Sequence, residues 1–74
     1  MAKLPSNIRP EKLIKALGKL GFEEYKGRGN HIRMKHPDGR WTQVAVHPKP
    51  VPKGTLDKIL KEAELTIEDL LKVY

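Results

Sequence analysis

Apolar residues in the first part of the chain recur with the spacing of one helical face. After Pro10 they come at steps of three or four residues, in the set Leu13, Ile14, Leu17 and Leu20. Pro10 suits the first helical position, because its missing N–H would have no helical partner there. Gly21 suits a C-terminal cap. The pattern therefore predicts a first helix over residues 10–20.

The middle of the chain alternates between apolar and polar residues, which is typical of half-buried strands. Residues 22–26 predict a short first strand, and the alternation is clearer over residues 31–36 and 41–47. Between the last two strands, Pro37-Asp38-Gly39 matches a three-residue hairpin loop with glycine at the left-handed position. We therefore expect three antiparallel strands.

The three-residue loop also predicts how the hairpin strands pair, since facing residues must share one side of the sheet. The expected partners are His36 with Arg40, Lys35 with Trp41, Met34 with Thr42, Arg33 with Gln43, and His31 with Ala45. His47 then becomes a diagonal neighbour of His31, at roughly 7–8 Å between backbone carbons. One polar face is expected to carry His31, Arg33, Lys35, Trp41, Gln43 and His47.

The last part of the chain predicts a stiff connector and two helices. Prolines fix the backbone of residues 47–52 and remove donors. A second helix is marked by Leu56, Ile59, Leu60 and Ala63, and Thr66-Ile67-Glu68-Asp69 resembles a capping box that opens a short third helix. The fold class is therefore α+β, a two-layer sandwich with one sheet face against the helices and the other open.

The 74 residues are expected to form a single domain, with residues 1–8 as an N-terminal arm and 10–74 as the folded core. The chain has no cysteine, which fits a reducing compartment. It also has no apolar run near the ~18 residues that span a bilayer, and no signal-peptide core at its start. We expect a cytoplasmic protein with no membrane partner.

Charge narrows the choice of partners. Fifteen Lys and Arg against nine Asp and Glu give a net charge of +6. A small basic domain commonly meets a polyanion, namely nucleic acid, an acidic membrane or an acidic protein. A well-solvated lysine-rich surface is the competing interpretation, and composition alone favours neither.

Histidines are the candidates for chemistry, since histidine can take and give a proton near neutral pH. His31 follows Gly29-Asn30 and precedes a basic strand. His47 is a candidate second proton carrier, with a strand-end histidine beside the proline-rich loop as the alternative. His36 falls on the inward side and is expected to hydrogen-bond the hairpin loop. Because His36 and His31 lie on opposite faces, we expect no metal site and no cofactor.

Cationic and aromatic side chains around His31 are candidates for RNA binding. Phosphate contacts would position RNA without reading its sequence, and the candidate cations are Lys26, Arg28, Arg33, Lys35, Arg40 and Lys53. About half of them are expected to be plain solvated charge. Trp41 could stack on an unpaired base, worth ~1–3 kcal/mol, pack beneath Lys35, or lie in a contact with a second copy or a partner protein.

Several short motifs together resemble one protein family. In chain order they are Leu13-Ile14-Lys15-Ala16-Leu17, Leu20-Gly21-Phe22, Gly29-Asn30-His31, His36-Pro37-Asp38-Gly39-Arg40, Val46-His47, Lys53-Gly54-Thr55-Leu56 and Ile59-Leu60. Each is weak alone, but the set, which covers residues 10–65, resembles the HicA (YcfA-like) toxins. The α-β-β-β-α order likewise resembles the double-stranded-RNA-binding domain, here with a short extra C-terminal helix.

The resemblance implies an mRNA interferase of a type II toxin–antitoxin module. Such toxins are ribosome-independent ribonucleases that a HicB antitoxin neutralises. Their catalytic histidine lies in a Gly-Ser-His motif, which corresponds to His31, and Asn30 stands where the family has serine. The expected partners are mRNA and a HicB-type antitoxin, and the free toxin is expected to be a monomer or weak dimer.

Three hypotheses follow. The first is a metal-independent endoribonuclease in which His31 is the general acid or base. The second is a non-catalytic module of the double-stranded-RNA-binding type, which would use its helices and the start of the second helix and would not need His31. The third, less supported, is a protein-interaction domain built on the proline-rich loop.

Overall fold

The computed structural model describes residues 7–74. Its elements follow the predicted order, and their ends fall within one or two residues of the predicted ones. The helices and strands are α1 (Pro10–Lys19), β1 (Glu23–Lys26), β2 (His31–Lys35), β3 (Trp41–Ala45), α2 (Lys53–Glu62) and α3 (Ile67–Val73).

Helix α1 begins and ends as its sequence predicts. Pro10 occupies the first helical position. At the other end Gly21 adopts a φ of +102°, a conformation that glycine reaches without steric cost. The N–H of Phe22 then bonds the carbonyl of Leu17 at 3.0 Å, and the N–H of Gly21 bonds that of Gly18 at 3.1 Å. These two bonds form a Schellman cap, which turns the chain from α1 into β1.

The three strands form one antiparallel sheet in the order β1-β2-β3. The predicted hairpin register is confirmed, with His31 opposite Ala45 and Lys35 opposite Trp41. Strand β3 was predicted to reach His47 but ends at Ala45. One further bond follows, from the N–H of Val46 to the carbonyl of Asn30 at 2.7 Å. The prolines that come next have no N–H to extend the ladder.

The helices cover one face of the sheet. Met34 and Val44 on that face are buried against α1 and α2, with Leu13, Leu17 and Leu56 among the fully buried side chains. The residues between them along each strand, such as Arg33 and Gln43, are exposed. The protein is thus an α+β two-layer sandwich with an α-β-β-β-α core and a short C-terminal helix, which is the double-stranded-RNA-binding type of fold.

The segment before α1 is tied to the proline-rich connector. Ile8, which the sequence assigned to the arm, is fully buried in the core. Its carbonyl accepts the N–H of Val51 at 2.8 Å, and Nη1 of Arg9 donates to the carbonyl of Pro48 at 2.6 Å. The rest of the predicted arm, residues 1–6, lies outside the described residues. The connector is therefore held on the α1 side of the domain.

Two aspartates stabilise local turns as carboxylates. Asp69 accepts the N–H of Thr66 at 3.0 Å and completes the predicted capping box of α3, which is confirmed. Asp38 in the hairpin loop accepts the backbone N–H of Arg40 at 3.0 Å and its Nε at 2.7 Å. The backbone hydrogen bond is the largest cause that lowers the pKa of each aspartate, and the partner's side chain adds to it.

These two pKa shifts predict that the fold loses stability in acid. Because each folded-state pKa lies below the unfolded value of about 3.9, the stabilisation is present at neutral pH and is lost as pH falls below about 4. Melting temperatures of the wild type and of Asp69→Asn should therefore differ at neutral pH, and the difference should shrink as pH falls into the acid range. A difference that stayed constant across this range would contradict the role of the ionised carboxylate.

Candidate active site

His31 has an exposed side chain and a backbone that is hydrogen-bonded at both of its polar groups. It opens β2, directly after the loop formed by residues 27–30. Its N–H donates to the carbonyl of Arg28 at 3.0 Å, and its carbonyl accepts the N–H of Gly27 at 3.0 Å. Gly29 in this loop has a φ of +56°. Both backbone polar groups of His31 are thus bonded within the loop, and the imidazole is left facing solvent.

Helix α2 supplies the other wall beside His31. A shallow cavity of about 190 Å³ lies between the start of β2, the end of β3 and one side of α2. Its α2 residues are Thr55, Lys58, Ile59 and Glu62, spaced as neighbours on one helical face. The full lining set is His31, Gln43, Ala45, Thr55, Lys58, Ile59 and Glu62. The cavity is thus lined by an imidazole, an ammonium group, a carboxylate and two neutral polar groups.

A basic and aromatic surface continues from His31 along the open face of the sheet. Arg33, Lys35 and Trp41 line a second concavity of about 330 Å³. Trp41 is 49% exposed and Tyr25 on β1 is 46% exposed. Nζ of Lys35 lies 5.3 Å from the centre of the Tyr25 ring, a cation–π contact. The face thus offers two aromatic surfaces with two cations between them.

A family model described as "HicA toxin of bacterial toxin-antitoxin" matches residues 10–65, which is more than half of the chain. The chain belongs to the HicA toxin family. The resemblance seen in the motifs is thereby confirmed over the same residues. No curated protein matches the sequence.

Family membership gives this HicA toxin a place in a toxin–antitoxin module, with a cognate antitoxin as its partner. Toxins of this family are generally ribonucleases. No helix in residues 7–74 has both the length and the apolar character needed to cross a membrane. Within the same residues, no three His, Cys, Asp or Glu side chains are grouped so that they could hold a metal ion.

His47, the predicted second proton carrier of this HicA toxin, does not line the cavity of His31. It is exposed beyond the end of β3, where it borders the proline-rich connector. It also lines a cavity of about 160 Å³ that is more apolar than the cavity of His31 and whose other walls include Pro10 and Val51. The predicted register is present, but the chain leaves the sheet before His47, which borders an adjoining cavity that shares Ala45, Thr55 and Ile59 with the cavity of His31.

His36 and Arg40 are held on the helix side of the sheet. The ring of His36 meets Phe22 edge-on at 5.1 Å, and its Nδ1 accepts the N–H of Asp38 at 3.2 Å. The same Nδ1 lies 3.0 Å from the Asp38 carboxylate, so a protonated ring would donate there instead. The loop contact expected for His36 is therefore present.

Arg40, predicted as an RNA contact, makes three contacts within the fold. Its Nη1 donates to the carbonyl of Ala63 at the end of α2 at 2.8 Å. Its Nε bonds Asp38, and its guanidinium lies 5.3 Å from the centre of the Phe22 ring. The structure therefore does not bring Arg40 together with His31.

The remaining predicted cations lie outside the cavity of His31. Arg28 is exposed in the loop that holds His31. Lys53 is the first residue of α2 and is exposed, two residues before Thr55 of the cavity. Lys26 pairs with Ile32, so it belongs to the opposite side of the sheet from Arg33. None of these three side chains lines the cavity of His31.

Proposed function

We propose that this HicA toxin is a metal-independent endoribonuclease that cleaves mRNA with His31 as general acid or base. One observation carries the proposal: the imidazole is exposed on backbone bonded at both polar groups, at the edge of a cavity that contains further polar side chains. A proton-transfer catalyst needs this combination of access and fixed position. Membership of the HicA family supports the same residue.

The reaction needs only proton transfers and RNA's own nucleophile. A base takes the proton of a ribose 2′-OH, and the 2′-oxygen forms a bond to the adjacent phosphorus. The bond from phosphorus to the 5′-oxygen breaks, and an acid gives that oxygen a proton. The products are a 2′,3′-cyclic phosphate and a 5′-hydroxyl. General acid–base catalysis at one such residue contributes about 10²–10⁴-fold.

The open face is the proposed RNA-binding surface. Arg33 and Lys35 would contact phosphates, and the exposed ring of Trp41 would stack on an unpaired base. Arg28 and Lys53 would extend the basic surface at either side of His31. Tyr25 adds a second exposed ring beside Lys35. A surface of this kind favours single-stranded RNA, since a base inside a duplex does not offer its face.

The same face is the proposed contact with the antitoxin. A HicB-type partner that is acidic would match the net charge of +6 of the toxin. If it covered Arg33, Lys35 and Trp41 together with His31, it would exclude RNA and block proton transfer at once. Trp41 is the largest exposed apolar side chain on this face and suits the centre of such an interface.

Cleavage of an oligoribonucleotide that carries a single 2′-deoxy or 2′-O-methyl sugar tests the proposed chemistry. The assay buffer contains a chelator. The modified sugar, which lacks a free 2′-OH, should abolish cleavage at its own position while cleavage at other positions continues. Mass spectrometry of the wild-type products should show the cyclic phosphate. Cleavage that persists at the blocked position, or that stops with the chelator, would contradict the mechanism.

A further inference from the structure

The proposed reaction places extra negative charge on the phosphate as the 2′-oxygen attacks, and a cation near that charge would stabilise the transition state. None of the lysines and arginines that were predicted from the sequence to surround His31 lines its cavity. Lys58 does, and sequence motifs gave no reason to select it. Lys58 is therefore either plain surface charge or part of the site.

Lys58 has different surroundings from the other two lysines of α2, Lys53 and Lys61. It stands one turn after Thr55, and both residues face the cavity that His31 borders. Among residues 7–74, no carboxylate lies within ion-pair distance of Lys58, whereas Lys61 pairs with Asp57 at 3.1 Å. Lys53, at the helix start, does not reach this cavity.

The carboxylate nearest to Lys58 in the helical pattern has one oxygen engaged by another residue. Glu62 follows Lys58 by four residues, where an ion pair commonly forms. Its Oε1 instead accepts the hydroxyl of Thr42 at 2.8 Å. Thr42 is fully buried on the helix side of the sheet. This hydrogen bond engages one carboxylate oxygen of Glu62, which forms no ion pair with Lys58, so the ammonium of Lys58 remains available for an anion.

We propose that Lys58 is a catalytic residue that binds a non-bridging oxygen of the scissile phosphate. The inference rests on the proposed ribonuclease function. In this arrangement His31 transfers the proton from one wall of the cavity, and Lys58 faces the same phosphate from the other. Lys58 keeps its proton throughout, so its contribution is charge and position. The hydroxyl of Thr55 lies on the same helical face as a further donor.

The test compares Lys58→Ala with Lys61→Ala, which removes the same charge from the same helix outside the cavity. Lys58→Ala should lower kcat by about tenfold to a hundredfold, less than a buried donor would because solvent screens an exposed ammonium. Lys61→Ala should stay within about twofold of the wild type. Lys58→Arg, which keeps the charge, should recover most of the lost activity.

Binding separates a catalytic contact from general attraction to RNA. With an RNA blocked by 2′-O-methyl groups, Lys58→Ala should lose little more affinity than Lys61→Ala, because the phosphate gains its extra charge only in the transition state. Equal kcat for the two variants, beside an active wild type and an inactive His31→Ala, would overturn the role of Lys58 alone. A wild type that cleaves no RNA would overturn the ribonuclease itself and Lys58's role with it.

Discussion

Replacing His31 with alanine is expected to abolish RNA cleavage and growth arrest while the fold and RNA binding persist. The side chain is exposed, and the backbone bonds that hold the residue do not involve the imidazole. The loss should therefore be one of chemistry, on the order of 10²–10⁴-fold in kcat. Inducible expression, followed by growth and total mRNA integrity, measures the effect in cells, and purified variants measure it directly.

His47→Ala is the matched control, because it removes a second exposed histidine at the edge of the same region. It borders a different cavity, and we expect it to retain far more activity than His31→Ala. A loss equal to that of His31→Ala would instead make His47 the second proton carrier. If wild type and His31→Ala were both harmless, or both toxic, the non-catalytic RNA-binding hypothesis would replace the ribonuclease.

Local rules were sufficient to predict the part of the site that lies on the hairpin. The three-residue loop determines the register of β2 and β3, and the register determines that Arg33, Lys35 and Trp41 share a face with His31. The cap at Gly21 and the capping box at Thr66 follow from equally local patterns. Each of these features depends on residues close together in the chain, so tertiary packing does not alter them.

The part of the site on α2 could not be predicted in the same way. Thr55, Lys58 and Glu62 share a helical face, but the sequence does not say which side of α2 meets the strand that carries Ala45. The same packing keeps Arg40 away from His31, because its guanidinium contacts the end of α2 and the ring of Phe22. Both outcomes depend on how helices dock on a sheet, which periodicity alone does not encode.

Tyr25 is a different kind of omission, because the signal was present. Its partner across the sheet is Arg33, so alternation along β1 assigns it to the open face. The short first strand, with four exposed residues, gave no clear apolar side from which to infer that register. Its neighbour Glu23 accepts the Tyr25 hydroxyl at 3.1 Å, and this hydrogen bond raises the pKa of Tyr25.

A methyl group added at Gly27 should displace His31, the proposed catalytic residue, without altering its side chain. A Cβ added there would lie 2.6 Å from the carbonyl oxygen of His31 and 3.2 Å from its carbonyl carbon. Both are backbone atoms, so the loop must shift to relieve the clash. That shift would stretch the bond from the N–H of Gly27 to the same carbonyl.

Gly27→Ala is therefore expected to lower kcat by up to about 10²-fold, the cost of a misplacement near 1 Å. It should also lower the free energy of unfolding by about 1–3 kcal/mol, as overpacking does. Single-turnover cleavage and denaturant titration measure the two effects. RNA affinity should change little, because the cations of the open face remain in place.

Gly18→Ala is the control for Gly27→Ala, since it adds the same methyl group to a different glycine. Gly18 is exposed in α1 with no neighbouring atom within 4 Å of the added Cβ. Alanine there should raise the free energy of unfolding by about 0.5–1 kcal/mol and leave kcat unchanged. If Gly27→Ala matched Gly18→Ala in both measurements, the loop would not position His31. The backbone hydrogen bonds of His31 would then contribute nothing to catalysis.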